Sequence, residues 1–117
     1  MMRFTADTNV YLHKHAIDFR KQINGLSLIV QESLLLDPFS QSLFVFINRT
    51  RSRIKVLYWD RNGFCLWMKR LEKDRFSWPR HLDGNQTVIT VEALHWLLDG
   101  FDIWHSPPHQ RLHFASV

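Results

Sequence analysis

The sequence predicts an α+β domain: an antiparallel sheet of about four strands, built round a central three-stranded meander, with two helices packed on it. Three observations carry that prediction. From Leu43 to Leu71 three runs rich in β-branched and aromatic residues are separated by short polar connections, the pattern of neighbouring antiparallel strands. On either side of those runs, apolar residues recur at helical spacing between a capping residue and a stop. A chain of 117 residues, 45% apolar and 22% charged, fits one folded domain with its own core. That domain is expected to span residues 1–104. Pro107-Pro108 and a scarcity of strong structure formers mark 105–117 as a flexible tail.

In chain order, Val10-Tyr11-Leu12 reads as a short strand after the polar cluster Asp7-Thr8-Asn9. Asp18 is the expected N-cap of the first helix. Its buried stripe is Phe19, Ile23, Leu26 and Val30, widened by Leu28 and Ile29. Gly25 inside that helix costs about 1 kcal/mol against Ala, which points to close packing against a strand. Asp37-Pro38 closes the region, because a residue before proline is pushed out of the α conformation.

The meander follows: Leu43 to Asn48, Ile54 to Asp60 and Phe64 to Leu71. Arg49 to Arg53 is a basic hairpin loop. Asp60-Arg61-Asn62-Gly63 is a turn in which Asn and Gly are expected to supply positive φ. Alternation places Ile54, Val56 and Tyr58 on one face and Lys55, Leu57 and Trp59 on the other. Both faces thus carry large apolar groups, one for a helix and one for the chain's ends. Trp78-Pro79 opens a loop running through Asp83-Gly84-Asn85. Thr87 to Ile89 reads as another short strand. Thr90 caps a second helix with Val91, Leu94, Leu97 and Leu98 inward, Glu92 favourably placed in its first turn, and Gly100 as its stop.

Charge is unevenly spread. Between Arg49 and Arg80 ten basic residues face three acids, a local +7, whereas the rest of the chain carries −3. Trp59, Trp67, Trp78 and Trp96 lie in or just beyond the basic segment. Cations interleaved with aromatic rings suit a polyanion. A solvated sheet face over a Trp-rich core accounts for the same composition. Arg49, Arg51 and Arg53 are the exception: three arginines at alternate positions in one short loop repel one another unless an anion is near.

Other chemistry finds little support. Asp7, Asp18, Asp37, Asp60 and Asp102 are scattered, each with a local role as cap or turn residue. His13 and His15 could share a strand face. His105, His109 and His113 cannot line up on one helix across Pro107-Pro108. A single cysteine, Cys65, excludes an internal disulfide and a Cys-only zinc site, and its apolar neighbours mark it as a core thiol. There is no phosphate-binding glycine loop, dinucleotide fingerprint, helix-turn-helix or zinc-finger spacing. No apolar run approaches the roughly 20 residues of a membrane span. The reading is a cytoplasmic protein that is not an enzyme, needs no cofactor or metal and has no membrane partner.

The blocks Asp18-Phe19-Arg20-Lys21-Gln22-Ile23-Asn24-Gly25-Leu26, Asp37-Pro38-Phe39-Ser40 and Leu43-Phe44-Val45-Phe46-Ile47-Asn48-Arg49 occur in order. Lys55-Val56-Leu57-Tyr58-Trp59-Asp60-Arg61-Asn62-Gly63-Phe64, Lys69-Arg70-Leu71-Glu72 and Phe76-Ser77-Trp78-Pro79 continue the series. Together, from about Thr5 to Asp102, they resemble the TnpB-type accessory protein, the second-open-reading-frame product of insertion-sequence family 66. The resemblance implies a role in bacterial transposition beside a separate transposase and a second small accessory protein. It carries over no catalytic residue.

The expected function is therefore a non-catalytic accessory factor for transposition. Arg49, Arg51, Arg53 and Lys55 are its main DNA phosphate contacts, and Arg61, Lys69 and Arg70 form a second row. The alternative is a protein-interaction module that docks the transposase or the other accessory protein without touching DNA.

Overall fold

In a computed structural model, residues 4–79 and 84–104 are described. The tail 105–117, its three histidines, and Arg80 to Asp83 of the expected loop lie outside the described residues. The elements run β1 (Val10–His13), α1 (Ile23–Glu32), β2 (Leu43–Ile47), β3 (Arg53–Asp60), β4 (Gly63–Arg70), β5 (Gln86–Ile89) and α2 (Val91–Leu98). They make one five-stranded sheet in the order β4-β3-β2-β1-β5.

The meander β2-β3-β4 is antiparallel, as its short connections indicate, with Val45 opposite Val56 and Val56 opposite Trp67. Two features differ from expectation. The described sheet has five strands rather than about four. It is also mixed: β1 runs parallel to β2, with Tyr11 beside Phe44, and antiparallel to β5. The cause is α1. A helix between two neighbouring strands returns the chain to its starting end, so the second strand runs the same way as the first.

The sheet is covered on both faces. Phe44, Phe46 and Leu57 pack against Leu26, Val30 and Leu34 of the α1 side. Val10, Leu12, Val45, Ile54 and Val56 pack against Leu94 and Leu97 of α2, with Phe76 and Trp78 closing that layer. The second face is thus covered by a helix as well as by chain segments. Trp78 is buried with its indole N–H donating to the Lys14 carbonyl at 3.0 Å, and Trp104 donates likewise to Ser77 at 2.9 Å. A buried indole needs such an acceptor.

Local capping is partly as expected. Thr90 caps α2, its hydroxyl oxygen accepting from Ala93 N–H at 3.0 Å, and Gly100 leaves the helix at φ +95. Asp18, however, does not cap α1, which starts after Gln22 without a side-chain cap. Instead Asp18 accepts from the Arg20 amide at 2.9 Å and pairs with the Arg20 guanidinium at 2.6 Å. Those hydrogen bonds hold its carboxyl at about 2. Of the expected stripe, Leu26 and Val30 are fully buried, Phe19 and Ile23 pack at its margin, and Leu28 is half exposed. Gly25 meets no strand; a Cβ there would come within 3.2 Å of Lys21 Cβ. At the tip of the β3–β4 hairpin the positive φ (53°) falls on Arg61, not on the glycine.

His13 is buried on the α1 face of β1. Its Nδ1 donates to the His15 carbonyl at 2.8 Å, leaving Nε2 to accept from the Ser33 hydroxyl at 3.3 Å. That is the neutral imidazole, and burial pushes its pKa below the ordinary 6.5. The unfolded chain therefore takes up the proton first. This contribution to stability is complete above pH 6.5 and is lost as pH falls towards the lowered folded value. Denaturant midpoints are expected to drop between pH 7 and 5, and His13→Gln to flatten that drop.

Candidate nucleic-acid interface

One end of the sheet gathers arginines, and the backbone there is tightly held. Asn48, the residue after β2, organises the loop. Its side-chain carbonyl accepts from the amides of Ser52 (2.9 Å) and Arg53 (3.0 Å). Its side-chain amide donates to the hydroxyls of Thr50 and Ser52, both at 3.2 Å. Arg51 sits at φ +61, a conformation disfavoured for a residue with a Cβ, and its amide donates to the Asn48 carbonyl at 3.0 Å. The following segment runs alongside: Leu71 N–H bonds Ser52 O and Phe76 N–H bonds Arg51 O, each at 2.8 Å. Asn48 and these cross-links set the loop's shape, so its arginines project from an ordered frame.

The ladder register brings Arg70 directly opposite Arg53. Two like charges so placed repel. Glu72 offsets this by accepting from Arg70 Nη2 at 2.8 Å. That hydrogen bond lowers the Glu72 carboxyl below its ordinary value, with Arg70's charge and then Arg53's contributing less. Arg49, Arg53 and Arg70 are exposed and Arg51 is half-buried. Lys73 and Arg75, both exposed, follow in the segment bonded to Ser52 and Arg51. This end of the sheet thus carries six cations against Glu72 and Asp74. Beside it runs a groove lined by Ile17, Asp18, Phe19, Asn48, Arg49 and Thr50.

Of the seven cations nominated from sequence, Arg49, Arg51, Arg53 and Arg70 come together and three do not. Lys55 is only 4% exposed. Its ammonium donates to the carbonyls of Phe19 and Lys21, both at 2.8 Å, and lies 4.9 Å from the centre of the Phe19 ring. Burial pushes its pKa down. Lys55 therefore holds the segment before α1 onto the sheet and is withdrawn from solvent. Lys69 points to the opposite face and donates to the Leu98 carbonyl at 2.7 Å, where a cation suits the negative end of α2. Arg61 stands at the far end of β3, roughly 25 Å away at the rise of a strand. Lys73 and Arg75 were missed as site residues. The register counted from the Asp60–Gly63 turn ends at Leu71 opposite Ser52; the chain then loops out through Lys73 and Arg75 and returns with Phe76 on Arg51, which no local pattern announces.

Apart from the half-buried Phe19 in that groove and the buried Phe76, the described aromatic rings do not join this end. Phe39, Trp59 and Phe64 form a cluster with centroids 5.0–5.2 Å apart near the opposite tip. Trp67 packs on the α2 core and Trp96 meets Phe101 edge-on at 4.7 Å. At that far end a cleft of about 400 Å³ brings together Asp7 and Asp60, two acids that look unrelated in sequence. Among the described residues no three His, Cys, Asp or Glu side chains converge as a metal site would need. No described helix is long and apolar enough to cross a membrane. Cys65, half-buried, lies opposite Tyr58 in the ladder.

Residues 8–108 match the model of one protein family, the IS66 Orf2-like proteins. Two proteins of Sinorhizobium fredii (strain NBRC 101917 / NGR234) are similar along most of the chain. Uncharacterized protein y4hO is 39% identical over 101 residues, covering 86% of each chain. Uncharacterized protein y4jC is 40% identical over 86 residues, covering 68% of this chain and 74% of the other. No solved structure matches.

Proposed function

Because this chain belongs to the IS66 Orf2-like family, which associates it with transposition in an accessory role, we propose that it is a non-catalytic factor that grips DNA backbone at the arginine-lined end of its sheet. The observation that carries this is the convergence of Arg49, Arg51, Arg53 and Arg70 from two cross-linked segments, with Glu72 the one acid among the described residues ion-paired to any of the four. Guanidinium forks match phosphate oxygens, and a loop already ordered loses less freedom on binding. Among the described residues the tryptophans pack elsewhere and the Phe19 ring lies against the Lys55 ammonium, so the contact is to backbone and positions the protein without reading sequence.

Duplex binding measured against salt tests this. With about four phosphates engaged, log affinity falls with log salt at a slope of about −3 to −4. Replacing Arg49, Arg51 and Arg53 together by Gln is expected to flatten the slope by about three units and to weaken all sequences alike. Circular dichroism should stay unchanged, since these side chains lie outside both cores. Absence of duplex binding at low salt, with or without the transposase, rejects the reading. Capture of the transposase lost in the same triple variant would then assign these arginines to an acidic protein surface.

A further inference from the structure

We infer that the outer edge of β4 is a self-pairing surface, and that two copies of this chain join there as antiparallel strands about a two-fold axis at Leu66. Among the described residues β4 is an edge strand, bonded to β3 alone, and its register with β3 runs unbroken over eight pairs from Arg53–Arg70 to Asp60–Gly63. Leu71 N–H bonds back towards β3 at Ser52, so by the alternation of the ladder the odd-numbered residues of β4 face β3. The N–H and C=O groups of Phe64, Leu66, Met68 and Arg70 therefore point outward. Among the described residues no backbone group bonds them.

Natural edge strands are usually short, or blocked by proline, a bulge or charge. Here the first six residues, Gly63 to Met68, carry no charge, proline or bulge. The contrast with β5 at the other edge, four residues long, is one of length and apolarity. Phe64, Leu66 and Met68 lie on the α1 face, Cys65 and Trp67 on the α2 face, and none of the five is buried; Met68 is 51% exposed. Both core layers thus end open at the same edge, and a continued sheet extends both.

The charge pattern selects the occupant and its direction. All the cations of β4 lie at one end, Lys69 and Arg70. Parallel pairing of two copies would stack lysine on lysine and arginine on arginine. Antiparallel pairing centred on Leu66 instead sets Phe64 against Met68, Cys65 against Trp67 and Arg70 against Asn62 of the second copy. The two arginine-lined ends then point in opposite directions. This inference stands apart from the DNA reading, since none of its contacts uses Arg49, Arg51 or Arg53.

Light scattering after gel filtration of the full chain is expected to give twice the 14.1 kDa monomer mass. Met68→Pro removes an outward N–H from a half-exposed position without touching the β3 ladder. It should return the mass to that of the monomer with unchanged circular dichroism. In a Cys65→Ser background, Leu66→Cys should cross-link two copies under mild oxidation, because a hydrogen-bonded antiparallel pair places Cα atoms about 5.5 Å apart, within disulfide reach. Met68→Cys in the same background should not. A monomeric wild type, a dimer that survives Met68→Pro, or cross-linking through position 68 but not 66 overturns the inference. Because the cross-linking pair needs no proline, it decides the matter even where Met68→Pro fails to fold.

Discussion

Lys55→Glu is expected to abolish cooperative folding. The wild-type ammonium satisfies two backbone carbonyls, Phe19 and Lys21, at 2.8 Å each while only 4% exposed. A carboxylate there faces two oxygens, offers no donor to either, and has lost its water. Leaving a buried charge uncompensated costs about 3–5 kcal/mol, and repulsion by the carbonyls adds to it. A small domain has roughly 5–15 kcal/mol in all. Lys55→Met separates charge from packing: it keeps much of the stem but leaves both carbonyls without a donor, at about 1–3 kcal/mol. Thermal unfolding followed by circular dichroism checks both. The same experiment bears on DNA, because a buried Lys55 cannot reach phosphate and Lys55→Met should leave the salt slope unaltered. A Lys55→Glu protein with a wild-type melting temperature and weakened DNA affinity would return this lysine to the surface.

Leu26→Asp should be as damaging, by a different route. Leu26 is fully buried between α1 and the sheet, in the cluster with Phe44, Phe46 and Leu57. Truncating such a leucine to alanine costs about 2–5 kcal/mol through lost transfer energy and a cavity. The aspartate adds a carboxyl group among apolar side chains, which must take up a proton or draw in water. Insoluble protein, or a far-ultraviolet spectrum without a cooperative transition, is expected. Leu28→Asp, two residues on and half exposed, is the control and should melt close to wild type. Equal damage at both positions would mean that α1 does not present this face to the sheet.

Much of the arginine-lined end was readable. The loop after β2 and the turn at Asp60–Gly63 were placed from residue type, and the pair Arg53–Arg70 follows from that turn by counting. Lys55 departs from the expectation for a definite reason. It stands in a basic run, yet alternation places it beside Leu57 on one face of β3, and the structure covers that face with α1. What buries it is the segment Phe19–Lys21 crossing over the sheet, a contact 34 to 36 residues away in the chain. Arg61 was grouped with Lys69 and Arg70 by charge alone, although a strand's length separates it from Arg70. Asp18 has the chemistry of a helix cap, but a nearby arginine competes for its carboxylate, and the helix begins further on.

Residue order dictates the type and succession of the elements, which residues of each strand share a face, and which turns join the meander, but not where α1 begins. Those properties repeat every two or 3.6 residues and are set by neighbours in the chain. Tertiary packing decides that β1 enters the sheet parallel to β2, that β5 completes the edge beyond it, that Lys55 is buried on the carbonyls of Phe19 and Lys21, and that Lys69 is tied to that of Leu98. The physical reason is that pairing order and the fate of a lysine depend on which distant backbone arrives with unsatisfied acceptors. That is a property of the packed layers and not of any local period.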